Sequence, residues 1–235
     1  MMHTGEQAGD LLAEGAEALL EAAFRTGDYT IAHARLNQAR DVVHDRATEA
    51  AIADRLGWLL HFQALDDDRD TSRVDEELAL FQRALDIRRD MGDLGGVAAA
   101  LFGVGLVHQV LRQDWATAMP HFREALALAE HADVLYRSEI HRHIGFFYMI
   151  ADPQPDQAAQ HLSTSLELRH QHDDKRWLPS GTQALGWAML AAGRQDEAVR
   201  LIREALDQAH MVGLRASRVS AIEESLRLAE TGKIG

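Results

Sequence analysis

The chain has no cysteine, which excludes disulfides, thiolate metal sites and a cysteine nucleophile and leaves the redox compartment unread. It has four prolines in 235 residues and no run of β-branched residues alternating with polar ones. Both absences point to an all-α protein. Lysine is almost missing: Lys175 and Lys233 stand alone among arginines, a bias that points to a GC-rich bacterial source. Positive charge as a whole is short, and the formal net charge of −13 argues against a nucleic-acid partner, whose phosphates need a Lys/Arg surface. The longest apolar run read from the sequence, Ile144 to Ala151, is far too short to span a membrane. The first twenty residues have neither a basic n-region nor a long apolar h-region, so no signal peptide is expected and a cytoplasmic location is the default. Phosphate-loop, dinucleotide-binding and nucleophile-elbow motifs are also missing. Gly103-Val104-Gly105 falls inside a helical pattern, and Ser180-Gly181 opens a helix.

What the chain does have is a repeated helical pair, clearest in QALGWAMLAAGRQDEAVRLIREAL, Gln183 to Leu206. Apolar residues recur with helical period at Leu185, Ala188, Met189 and Ala192, then at Ala198, Val199, Ile202, Ala205 and Leu206. Gly193 lies between the two sets and suits the left-handed residue that ends a helix. Gly186, Ala198 and Ala205 are small where two helices must approach closely, with Leu185 and Ile202 filling the space around them.

This arrangement resembles the tetratricopeptide repeat, which has Leu-Gly, an aromatic three on, a Gly turn, then Ala, a large apolar residue and Ala. Leu185-Gly186, Gly193, Ala198, Ile202 and Ala205 match, with Met189 in the aromatic place. The closing small residue recurs at Ala39, Ala84, Ala125, Ser165 and Ala205, with spacings of 45, 41, 40 and 40 residues. These exceed the usual period of about 34, so the resemblance is to a long-repeat form. Three residues before each stands a large one: Leu36, Phe81, Phe122, Leu162 and Ile202.

The expected fold is a right-handed α-solenoid, one repeat domain over 1–235, with five hairpins near 6–44, 47–91, 95–130, 133–171 and 177–211 and a capping helix near 214–230. Leu56-Gly57, Val104-Gly105 and Ile144-Gly145 mark the first helices of the second to fourth hairpins. The first hairpin carries Leu20 where the others have Gly, and so reads as degenerate. Asp28 is the expected N-cap of its second helix, and Pro155 suits the first position of the fourth hairpin's second helix. Asp66 to Ser72 reads as a solvated acidic loop.

The resemblance implies that the first helix of each hairpin lines a concave groove. With the Gly as register, the lining positions are three before it, one after it and four after it, all on one helical face. They are Glu17, Glu21 and Phe24, with Glu14 alongside; Asp54, Trp58 and His61; Phe102, Leu106 and Gln109; Arg142, Phe146 and Met149; and Gln183, Trp187 and Leu190. An aromatic-lined groove of this kind implies a non-catalytic scaffold or adaptor that takes a protein or peptide ligand. The alternative is a small-molecule-binding or catalytic protein of a bacterial biosynthetic pathway, with Asp54, His61, Gln109 and Arg142 as polar groups among Trp58, Phe102, Phe146 and Trp187. A further alternative is burial of these rings by curvature or by the chain's own termini.

No catalytic residue, cofactor or metal is expected. The thirteen histidines include no pair four apart on one helix, and His141/His143 and His170/His172 are two apart and diverge. Glu139 and His143 are four apart, with a surface hydrogen bond the plainer reading than a shared metal.

Overall fold

The computed structural model describes residues 3–232, with side chains from residue 7; residues 1–2 and 233–235, Lys233 among them, lie outside them. Eleven α-helices and no strand occur among the described residues, and within each compact unit every helix packs on its neighbour in the sequence. The chain forms two compact units, residues 1–132 and 133–235.

The first unit holds three hairpins: α1 (His3–Glu21) with α2 (Thr30–Val42), α3 (Arg46–Asp66) with α4 (Val74–Met91), and α5 (Leu94–Leu106) with α6 (Trp115–Ala127). The second holds α7 (Val134–Ile150) with α8 (Pro155–Gln171), α9 (Leu178–Ala191) with α10 (Gln195–Met211), and the unpaired α11 (Ala216–Thr231).

The turn chemistry explains where the helices start and stop. Asp45, Asp93, Asp114 and Asp133 each accept a hydrogen bond from a backbone N–H in the first turn of α3, α5, α6 and α7. Asp28 accepts from Thr30 N at 2.9 Å, but α2 begins at Thr30, so it closes the turn without being the residue next to the helix. Pro155 opens α8, where its missing N–H costs nothing. Gly27 and Gly193 take φ of 77° and 76°, the left-handed conformation that glycine adopts without strain. α1 and α5 each end in a π-helical turn, Ala22–Thr26 and Val107–Leu111.

Each hairpin closes by one contact, a glycine of the first helix against the large residue of the second. A Cβ on Gly57 would lie 2.8 Å from Phe81, on Gly105 2.6 Å from Phe122, on Gly145 2.7 Å from Leu162 and on Gly186 2.6 Å from Ile202. The first hairpin obeys the same rule, which corrects its expected degeneracy: a Cβ on Gly15 would lie 2.8 Å from Leu36. Gly15, not Leu20, is its register residue, so the lining positions move from Glu17, Glu21 and Phe24 to Leu12, Ala16 and Leu19.

Another correction concerns apolar length. Leu94–Leu111 averages 1.8 in hydropathy over 18 residues, a longer apolar stretch than Ile144 to Ala151. It is the first helix of the third hairpin, two-thirds buried within the protein and packed against α4 and α6.

Candidate functional site

The expected lining residues divide between the two units and have different surroundings in each. In the first unit the rings stack on one another. Trp58 lies nearly parallel to Phe62 at 5.3 Å and to Phe102 at 6.1 Å, and Phe102 continues to Phe122 at 5.8 Å. Phe24 meets Phe62 edge-on at 6.3 Å. This ladder threads the three hairpins, and Trp58, Phe102 and Leu106 are core residues, not an open surface. His61 and Gln109 are buried with them, and His61 Nδ1 stands 2.9 Å from Glu77 Oε1, both side chains almost fully enclosed. Asp54 is half-buried, with its carboxylate 3.4 Å from Arg55. An open face at Trp58 and Phe102 is therefore not what the chain builds. Consecutive first helices interdigitate their rings there instead.

In the second unit the corresponding residues stay partly open. Arg142, Phe146 and Met149 form a stripe on α7; Gln183, Trp187 and Leu190 form one on α9; all six are half-buried. The stripes meet where Phe146 and Trp187 lie 6.4 Å apart. The Arg142 guanidinium carbon sits 4.6 Å above the Phe146 ring, a cation–π arrangement. α11 closes part of this face: Gln183 donates to Ser225 Oγ at 2.8 Å, and Trp187 and Leu190 pack against the cluster of Ile202, Ala205 and Ile222.

Beneath the face runs a buried polar network centred on Arg169, the largest fully buried side chain. Its Nε donates to Ser138 Oγ at 3.0 Å and its Nη1 to Ser180 Oγ at 2.6 Å and to the Trp177 carbonyl, while Nη2 pairs with Glu139. Ser138 also meets Ser165 at 3.1 Å. Ser165 is the one closing small position that is not alanine, and this network is the reason. Glu139 and His143 are both buried, which corrects the expected surface bond, and their closest atoms are 3.8 Å apart, too far for a hydrogen bond.

The electrostatic consequence falls on Arg142. Glu139, already committed to Arg169, is 3.8 Å from Arg142 Nη1, and Arg142 Nε is buried without a hydrogen-bond partner. Burial first, then the neighbouring Arg169 and Arg218, bring its pKa down to about 10 against the opposing pull of Glu139. Arg142 and Arg169 thus share one carboxylate, Arg142 Nη1 also meets His143 Nε2 at 3.2 Å, and the guanidinium of Arg142 borders a half-open aromatic face.

Sequence reasoning found Arg142 but missed Arg169, Glu139 as its partner, and two cross-helix histidine pairs. His141 and His161 pair between α7 and α8, with Nδ1 to Nδ1 at 3.1 Å. His108 and His121 stack at 6.0 Å in the third hairpin. His121 and His161 each precede the large second-helix residue, a repeat-phase signal that spacing along a single helix does not reveal. Burial lowers both members of both pairs, His141 to about 4.

No family model and no curated protein matches this chain. Among solved structures it resembles BtubC (BKLC) from P. vanneervenii, with a TM-score of 0.55 at 17% identity over 94% of this chain and 92% of that one. At that identity the likeness concerns the fold alone: an all-α array of sequentially packed helices.

Proposed function

We propose that this chain is a non-catalytic binding module of the tetratricopeptide type. In this reading it is a cytoplasmic bacterial adaptor whose second unit takes an acidic or carboxylate-bearing peptide. The ligand's apolar side chain would lie against Phe146 and Trp187 while its carboxylate meets Arg142. The observation that carries this reading is the state of Arg142: a cation whose pKa burial lowers, with a buried, unpartnered Nε and with its near carboxylate, Glu139, already committed to Arg169. A carboxylate or other anion at the exposed part of the guanidinium would offset the charge, and a guanidinium fork suits that geometry. The Gly-to-large-residue contact in all five hairpins supports the tetratricopeptide reading of the repeats.

Selection of a displayed random-peptide library on the full chain tests this. Enrichment of peptides that combine Asp, Glu or a free C-terminus with a large apolar residue is the expected result. Enrichment of basic peptides, or none above an unrelated helical protein, would overturn the reading.

A further inference from the structure

The His141–His161 pair lies apart from the Arg142 stripe and offers chemistry that a peptide-binding role leaves unused. The two residues come from different helices, 20 positions apart in sequence, and both are half-buried. Their rings are 5.1 Å apart with 39° between planes, and the Tyr148 ring lies 5.8 Å from His161. At 3.1 Å the two Nδ1 atoms are within hydrogen-bond reach of each other. As a hydrogen bond, this contact needs a proton on one Nδ1.

A metal ion can take that proton's place. Two imidazole nitrogens on a tetrahedral ion, at bond lengths of about 2.0–2.1 Å, stand roughly 3.3–3.4 Å from each other. Two adjacent nitrogens on a square-planar ion stand about 2.8 Å apart. The observed separation falls between these values, so either geometry needs only a small rotation of the rings. Both side chains can move their proton to Nε2 and remain neutral while they ligate.

We propose that His141 and His161 together ligate one divalent transition-metal ion, of the zinc, nickel or copper class, through their Nδ1 atoms. Among the described residues no three of His, Cys, Asp and Glu gather at one point, so water completes the coordination. A site with two protein ligands holds an exchangeable ion, and it would clamp α7 to α8. The His108–His121 rings stand farther apart, 6.0 Å between centroids, and His108 Nδ1 is buried without a hydrogen-bond partner.

The test is titration of the chelator-stripped full chain with Zn²⁺ and with Ni²⁺ alone, by calorimetry, for wild type and three variants. The expected result is one saturable equivalent, lost in His141→Gln and in His161→Gln and kept in His121→Gln. Undiminished binding in the first two variants, or only weak binding at several equivalents, overturns the proposal. Imidazole ¹⁵N spectra of the wild type decide the matter even where a variant fails to fold. Metal-induced shifts at Nδ1 of both His141 and His161 support the site, and shifts confined to other histidines refute it.

Discussion

Gly15 stands against Leu36 as Gly57 stands against Phe81, each leaving no room for a Cβ. The first hairpin therefore supplies an internal comparison on a single helix. Gly15→Ala must displace Leu36, whose backbone nitrogen also lies 3.2 Å from the added carbon, and is expected to cost about 1–3 kcal/mol by overpacking. Gly9, on the same helix, is exposed and meets nothing within 4 Å. Gly9→Ala should stabilise by about 0.5–1 kcal/mol, since alanine loses less backbone freedom in a helix. Urea titrations of the two variants should move in opposite directions.

The aromatic ladder predicts a stability effect at Trp58. Its ring packs on Phe62, Phe81 and Phe102, so Trp58→Ala should cost about 3–5 kcal/mol of first-unit stability. Trp187→Ala, on a half-buried ring, should cost clearly less. The comparison is read by circular dichroism during denaturation, and equal losses would contradict the different surroundings of the two tryptophans.

The Arg169 network predicts strong coupling. Glu139→Gln removes the carboxylate facing Arg169 and Arg142 and leaves buried positive charge uncompensated, which typically costs about 3–5 kcal/mol. Arg169→Met in the same background should add much less than it costs alone, because the two side chains act as one unit. A double-mutant cycle by chemical denaturation measures that coupling, and additive losses would refute it.

Stability should also depend on pH in two windows. Burial holds His108 and His121 below the ordinary histidine value of 6.5. Their contribution is complete above the unfolded value and is lost as pH falls from there through the lower folded values, because the unfolded chain binds protons first. His121→Gln should flatten that limb. A further loss is expected below about pH 4, where Asp45 and Asp93 protonate: backbone N–H groups of Thr48 and Gly96 hold them below the usual carboxylate range. Unfolding midpoints from pH 8 down to pH 3 check both limbs and their order.

The repeat was legible in the sequence wherever its glycine followed an apolar residue, as at Leu56-Gly57 or Leu185-Gly186. It was missed at Glu14-Gly15, where the preceding residue is charged and a π-helical turn at Ala22–Thr26 alters the distance to the loop. Helical phase alone placed Trp58 and Phe102 on one face. It did not show that rings from α3 and α5 would close that face by stacking on each other. The Arg169 network draws on α7, α8, the segment before α9 and the first turn of α9. No local spacing predicts it, although Ser165 in place of alanine was its one visible trace.

The proposed function rests on Arg142, and the most direct test is its removal. A peptide selected on the wild-type chain is titrated calorimetrically into wild type, Arg142→Ala and Trp187→Ala, at low and at moderate salt, with helicity checked for each. The account predicts folded variants that each lose about 2 kcal/mol or more of binding free energy, as anchor residues do. It also predicts that the wild-type affinity falls with salt, a dependence much reduced in Arg142→Ala. Folded variants that bind as tightly as wild type, with the same salt dependence, would contradict it.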